Sequence, residues 1–214
     1  MIALSLALSL VAHAGILGGS APARSPEQEA AEVERLEAEH VRLSDDLETF
    51  AQRQMWQAVE KQFGELTRRG IPPSRQDLVH AAMAARAQGN MLHASERLKA
   101  AASLEPSRDV LQLLAAIDQH YGLVELIAPN RDGALEVTEM PFEPDMRGAI
   151  ESAIAQVART GTFRGLLPRG GYIFAGQAFD VEPGLTVRVE VDPRMKKTDG
   201  IRVDVTTMPV NPGR

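Results

Sequence analysis

Residues 75–108, RQDLVHAAMAARAQGNMLHASERLKAAASLEPSR, decide the fold of this chain. Small and apolar residues recur three and four positions apart in both halves, a spacing that places them on one face of an α-helix. Gln88-Gly89-Asn90 separates the halves, because Gly89 suits the left-handed position after a helix, and Pro106 ends the second half. The sequence therefore predicts two antiparallel helices whose small side chains permit close packing. The predicted contact positions are Ala81, Ala82, Ala85, Ala94, Leu98 and Ala101.

These positions resemble the pattern of the tetratricopeptide repeat, a helix–turn–helix unit of roughly 34 residues. The residues at the key positions of the repeat are Leu78, Ala81, Ala82, Ala85, Ala94, Leu98 and Pro106. The chain departs from the family at the two aromatic positions of the first helix, where it has Leu78 and Ala85. The resemblance covers residues 40–121 and implies a stack of helical hairpins.

Further helices are predicted on both sides of this hairpin. Ser25-Pro26-Glu27-Gln28 is a capping-box start, and an apolar stripe follows at spacings of three and four. The stripe comprises Val33, Leu36, His40 or Val41, Leu43, Leu47 and Phe50. It restarts out of phase with Trp56, Val59, Phe63 and Leu66, so a turn is expected at residues 52–54. This second helix resembles the second half of a preceding repeat, and residues 109–120 are expected to form a closing helix.

The N-terminus has the composition of a signal peptide. Residues 1–23 contain no Asp, Glu, Lys or Arg, and Ala12-His13-Ala14 offers a small-x-small cleavage site. We expect cleavage after Ala14 and a flexible lead-in at residues 15–24, so that the mature protein is periplasmic or secreted. The alternative is an uncleaved membrane anchor, since the uncharged stretch is long enough to span a bilayer. Membrane association is expected only in that case.

Residues 122–214 are expected to form a separate small domain after a helical domain at residues 25–121. Strands are predicted at residues 123–127, 134–140, 172–174, 178–181, 185–191 and 201–207, and a helix at Pro144–Thr160. An Asp132-Gly133 turn is expected to join the first two strands. The predicted fold class is α+β, with tetratricopeptide-like hairpins followed by a small α+β module of antiparallel strands and one helix.

The last two strands alternate apolar and polar residues, which suggests an antiparallel pair. Placing Val191 opposite Ile201 sets Arg188 opposite Asp204 and Glu190 opposite Arg202. Both cross-strand charge pairs are then complementary, so this register is the predicted one.

Composition and motifs argue against several classes of function. The net charge is −6, which disfavours a nucleic-acid surface, and the absence of cysteine excludes thiolate chemistry. His40, His80, His93 and His120 have no ligand-pair spacing. Residues 128–139 fit a calcium loop only in part, and a turn is the better interpretation. We expect no metal, no cofactor and no catalytic residues, because no nucleophile–base or paired-carboxylate arrangement is present in the sequence.

Binding is the function that remains. The resemblance implies that the first helix of the hairpin lines a concave groove, here formed by Gln76, Val79, Met83 and Arg86. Met83 offers an adaptable apolar contact and Arg86 a partner for a carboxylate. The hypothesis is an exported scaffold or adaptor of the cell envelope that binds a segment of another envelope or secreted protein. The alternatives are a β module that binds glycan or peptidoglycan with the helices as a spacer, and, least favoured, an enzyme.

Overall fold

The computed structural model describes residues 25–128, 133–191 and 206–209. The described residues form five helices, followed by seven strands and a sixth helix that lies between the second and third strands, so the predicted α+β class with N-terminal helices is confirmed. The helices are α1 (Pro26–Gln52), α2 (Trp56–Arg68), α3 (Arg75–Ala87), α4 (Met91–Leu104), α5 (Arg108–His120) and α6 (Pro144–Thr160). The strands are β1 (Tyr121–Ile127), β2 (Leu135–Val137), β3 (Thr162–Pro168), β4 (Gly170–Phe174), β5 (Gln177–Val181), β6 (Leu185–Glu190) and β7 (Thr206–Pro209).

The described residues fall into two compact units, which divide between Glu37 and Ala38. In the first unit, the Ser25 hydroxyl accepts a hydrogen bond from the Gln28 backbone and the Gln28 side chain accepts one from the Ser25 backbone, at 3.3 and 3.1 Å. The predicted capping box is therefore present. Val33 is 54% exposed and Leu36 is 37% exposed, so the apolar stripe is not buried in this part of α1.

The second unit begins with helices that follow the predicted pattern. Helix α1 ends at Gln52 and α2 begins at Trp56, which confirms the turn expected between them. Leu43 and Leu47 are buried on the stripe, and His40 rather than the exposed Val41 continues it. All six predicted contact positions of the α3–α4 hairpin are buried, none more than 3% exposed.

An arginine fixes α4 against the two preceding helices. The Arg97 guanidinium lies over the Phe63 ring at 4.7 Å and donates a hydrogen bond of 2.8 Å to the Glu60 carboxylate of α2. It also donates to the carbonyl of Ala81 in α3 at 2.6 Å. One half-buried cation therefore connects three helices through an ion pair, a backbone hydrogen bond and a cation–π contact.

The turn of the hairpin packs against α6. Gly89 has a φ of +75°, and a Cβ at this position would lie 2.2 Å from the carbonyl oxygen of Gly148. Glycine is therefore required twice, for the left-handed backbone and for the close approach of two backbones. This close approach fixes the position of the hairpin turn against the first turns of α6.

The strands form two sheets, with orders β3-β1-β6-β7 and β2-β4-β5. Helix α6 has the predicted bounds, and its Ile150, Ala153 and Val157 are buried in one core with side chains of both sheets. The backbone enters β1 directly from α5, where a Cβ on Gly122 would lie 2.5 Å from the carbonyl oxygen of Glu182. Separate folding of residues 25–121 and 122–214 stays a prediction.

The expected pairing of the first two strands was wrong. Strand β2 is shorter than predicted and pairs with β4, whereas β1 pairs with β3 on one side and, in parallel, with β6 on the other. Both edges of β1 are thus occupied, which leaves no place for β2 beside it. Strand β3 was not predicted, although Phe163, Gly165 and Leu167 alternate as its buried residues. The turn at residues 129–132 lies outside the described residues.

The antiparallel pairing of the last two strands is confirmed, but the predicted register was wrong. Arg188 lies opposite Thr206 instead of Asp204, a shift of two positions. A shift of two keeps every side chain on its face of the sheet, so the alternation of residues cannot distinguish the two registers. The Arg188 guanidinium is paired with Glu190 at 2.8 Å and with Glu125 of β1 at 3.8 Å. Residues 201–205 lie outside the described residues.

Candidate binding site

A cavity of about 270 Å³ lies between α3, α4, α5 and the start of α6. Buried apolar side chains form its floor, and charged and polar side chains surround its opening. The lining residues are Ala82, Met83, Arg86, Met91, Ala94, Leu98, Leu113, Ala116, Ile117, His120, Tyr121, Glu143, Asp145 and Met146.

The cavity exists because three elements contribute alanine where they face one another. Ala82 of α3, Ala94 of α4 and Ala116 of α5 all line it. The same small residues that let α3 and α4 approach closely leave space where α5 and α6 meet them. Three methionines border this space, and their unbranched side chains adapt to an occupant of irregular shape.

Arg86 and Asp145 form an ion pair at the opening. Arg86 Nε donates to Asp145 Oδ2 at 2.8 Å, and the two side chains are 37% and 43% exposed. Asp145 lies in the first turn of α6, where a helix dipole favours a carboxylate. The carboxylate partner that the sequence analysis expected for Arg86 is thus a residue of the same chain. The pair joins the last turn of α3 to the first turn of α6.

Tyr121 contributes a hydroxyl group to the cavity. The residue is 6% exposed, and burial followed by the nearby Asp145 carboxylate raises the pKa of its phenol to about 12. The hydroxyl is therefore protonated at physiological pH and available as a donor. Among the described residues, no protein group is hydrogen-bonded to it. Since no described buried side-chain oxygen lacks a partner, this hydroxyl is open to the cavity. By contrast, the Tyr172 hydroxyl donates to the Pro168 carbonyl at 2.8 Å.

The structure brings two of the four predicted groove residues to this cavity. Met83 and Arg86 line it, half-buried. Gln76 does not, because it is exposed at the other end of α3, with its Nε2 2.9 Å from His80 Nε2. Val79 packs instead against the helical core. Sequence analysis missed the contributions of α5 and α6, since their approach to α3 is a matter of tertiary packing.

A second polar cluster, Asp77 with Ser74, His40 and Ser44, lies at the start of α3. Asp77 is 2% exposed, and its Oδ2 accepts hydrogen bonds from the Ser74 backbone at 2.8 Å, from Ser44 Oγ at 3.1 Å and from His40 Nε2 at 3.2 Å. Burial alone would raise the pKa of this carboxyl, but the hydrogen bonds outweigh burial and hold the pKa below its ordinary value of 3.8.

The chemistry of this cluster is that of a satisfied carboxylate. Ser44 and His40 both bond the same oxygen of Asp77, whereas nucleophilic catalysis requires a histidine that takes the proton of the serine. The Ser74 side chain also caps the Asp77 backbone, which completes a capping box. The Ser74-Arg75-Gln76-Asp77 spacing is the sequence signal that would have located this cluster.

Three further features of the structure bear on expectations from the sequence. In residues 25–128 and 133–191, no three His, Asp or Glu side chains converge as a metal site would require. The aromatic residues Phe163, Tyr172, Phe174 and Phe179 of the β module are buried and build its core. Within the described part of the chain, no helix has the length and apolar character needed to cross a bilayer. The predicted signal peptide and lead-in lie outside the described residues.

Comparisons with protein-family models, with curated proteins and with solved structures find no match to this chain.

Proposed function

We propose that this chain is an exported interaction scaffold or adaptor of the cell envelope, and that it binds a segment of another envelope or secreted protein in the cavity beside Met83. The observation that carries the proposal is the apolar cavity of about 270 Å³ with a charged opening. The expected export and the resemblance to peptide-binding helical hairpins supply the location and the kind of partner.

The size of the cavity favours a single side chain as its occupant. An apolar cavity of about 150 Å³ is large enough for benzene, and sites for drug-sized molecules occupy roughly 300–1,000 Å³. The present cavity lies between these values. It therefore suits one Leu, Met or Phe side chain of a segment that lies across the opening, which is how helical grooves hold the anchor residues of their partners.

Photo-crosslinking tests the proposal. We would place p-benzoylphenylalanine at position 120, on the rim of the cavity, or at position 112, exposed elsewhere on α5. The proposal predicts a discrete adduct with one exported protein from the position 120 variant only. Adducts of equal yield from both positions would mean that capture is non-specific, and no adduct from either would count against a partner at the cavity.

Two matched substitutions on α3 then separate the cavity from the rest of the helix. Met83→Glu and Gln76→Glu each add one negative charge, but only Met83 lines the cavity. Met83→Glu should weaken partner binding by about 1–3 kcal/mol, because a carboxylate replaces an apolar contact. Gln76→Glu should leave binding unchanged. Equal loss in both variants would point to long-range charge, and no loss in either would refute the cavity as the site.

A further inference from the structure

The opening of the cavity has an excess of negative charge. Asp145 neutralises Arg86 through their ion pair, while Glu143 is exposed on the rim, with no side-chain hydrogen bond to the start of α6. The lining thus has two carboxylates, Glu143 and Asp145, and one guanidinium, Arg86, so its acidic side chains outnumber its arginine by one. The floor below them is apolar. An anionic ligand would be repelled at this opening, and a cationic group would be attracted.

The Tyr121 hydroxyl adds a second feature that points to a ligand. The side chain is more than nine-tenths buried and lines the cavity, and no described protein group bonds its hydroxyl. No buried side-chain oxygen of the described residues lacks a hydrogen-bond partner, so the hydroxyl at the tip of this buried ring is open to the cavity. A ligand carbonyl that reaches the cavity can accept its hydrogen bond.

We infer that the cavity selects a partner segment in which a bulky apolar residue stands next to a Lys or Arg. The apolar side chain fills the space among Met83, Met91 and Met146. The adjacent cation lies at the rim beside Glu143 and Asp145, and a backbone carbonyl of the segment accepts a hydrogen bond from the Tyr121 hydroxyl. This inference rests on the proposed function and specifies the chemistry of the partner.

Three small probes of similar size test the selectivity directly: phenethylamine, phenethyl alcohol and phenylacetate. Each has one aromatic ring, and their polar ends are respectively cationic, neutral and anionic. Binding is followed on the full chain by the NMR signals of ¹³C-methyl-labelled methionine. Met83, Met91 and Met146 line the cavity, and the exposed Met55 lies outside it and reports non-specific effects. Titrations at about pH 8 and low ionic strength keep the amine cationic and the carboxylate anionic, and limit the screening of charges.

We expect phenethylamine to shift the three cavity methyl signals and to bind roughly three- to tenfold more tightly than the alcohol, with phenylacetate the weakest. Glu143→Gln should remove most of the preference for the amine, whereas Glu151→Gln, an exposed residue further along α6, should retain it. Tyr121→Phe should weaken binding of the alcohol roughly two- to tenfold.

The outcomes separate this inference from the proposed function. Equal affinity for all three probes, or tightest binding of phenylacetate, would overturn the selectivity for a cation while leaving the cavity as a binding site. Shifts at Met55 equal to those at the cavity methionines would mean that the probes bind non-specifically and would overturn both. Absence of any shift in the three cavity signals of the folded protein would also overturn both.

Discussion

Helix α3 presents Asp77 in its first turn and Arg86 in its last, and the two charges have different surroundings. Asp77 is 2% exposed and accepts hydrogen bonds from Ser74, Ser44 and His40. The Arg86 side chain is 37% exposed and has one carboxylate partner, Asp145, at the rim of the cavity. We call the first turn of α3, where Asp77 is hydrogen-bonded within the fold, the closed end of the helix. We call its last turn, where Arg86 lies at the rim of the cavity, the open end.

The difference predicts how substitutions along this helix should act. At the closed end, the Asp77 carboxylate is hydrogen-bonded within the fold. At the open end, alanines leave unfilled volume, and the Tyr121 hydroxyl has no acceptor among the described residues. We therefore expect substitutions at the closed end to change the free energy of unfolding, and substitutions that touch only the cavity to change binding.

The largest effect is expected where the open end is fixed to α6. Gly89→Ala would place a Cβ against the Gly148 carbonyl oxygen in addition to straining a left-handed backbone. Urea unfolding followed by circular dichroism should show a loss of at least about 4 kcal/mol or failure to fold. Gly70→Ala is the matched control, because Gly70 is also left-handed but has open space around it, and it should cost about 1–2 kcal/mol. Equal costs in the two variants would refute the close approach of the hairpin turn to α6.

The closed end should show the next largest effect. Asp77→Ala removes the capping box and leaves Ser44 and His40 without their buried acceptor, so it should destabilise the protein by about 2–3 kcal/mol. Asp118→Ala removes an exposed carboxylate from α5 and should stay within about 0.5 kcal/mol of the wild type. A small effect of Asp77→Ala in the same unfolding experiment would contradict its role as an anchor between α1 and α3.

The pH dependence of stability should reveal the same carboxylate. The pKa of Asp77 in the folded chain lies below 3.8, its ordinary value. The unfolded chain therefore binds the proton first as pH falls, so the stabilisation is complete above 3.8 and is lost as pH falls through the folded pKa. The difference in unfolding free energy between the wild type and Asp77→Asn should be constant above about pH 5 and shrink in acid. A difference that stays constant into strong acid would show that Asp77 is not held as an ion.

The ion pair at the open end should contribute least. Arg86 and Asp145 are both partly exposed, and such pairs contribute about 1 kcal/mol or less. Arg86→Met should therefore change the unfolding free energy only slightly, and Asp145→Asn should add little in that background, as a double-mutant cycle would measure. A coupling energy above about 2 kcal/mol would mean that the open end is as important for stability as the closed end.

Sequence periodicity predicted the helical half of the molecule well, because contacts between neighbouring helices depend on local spacing. Ala81, Ala85, Ala94 and Leu98 are buried as expected, and α6 has the expected bounds. The sheets were harder to predict, because β1 pairs with strands that lie far along the chain. In β3, Gly165 has no side chain and so obscured the alternation of apolar and polar residues.

The site could be predicted only in part. The spacing along α3 identified Met83 and Arg86, because a helix face is a property of local sequence. The remaining walls come from α4, α5, the beginning of β1, and the first turn of α6 with the residue before it. Packing between distant parts of the chain determines which residues of these elements come into contact. Tyr121 and Glu143 belong to no motif, and only their place in the fold brings them to the same cavity.

The most direct test of the account is the affinity of the partner captured by crosslinking for two variants of α5. Ala116→Phe fills the cavity from its rim, and Ala115→Phe places the same side chain on the adjacent exposed position outside it. If the cavity holds the anchor residue of the partner, Ala116→Phe should weaken binding more than about tenfold, at unchanged thermal stability, while Ala115→Phe binds like the wild type. Wild-type affinity in Ala116→Phe would contradict the account.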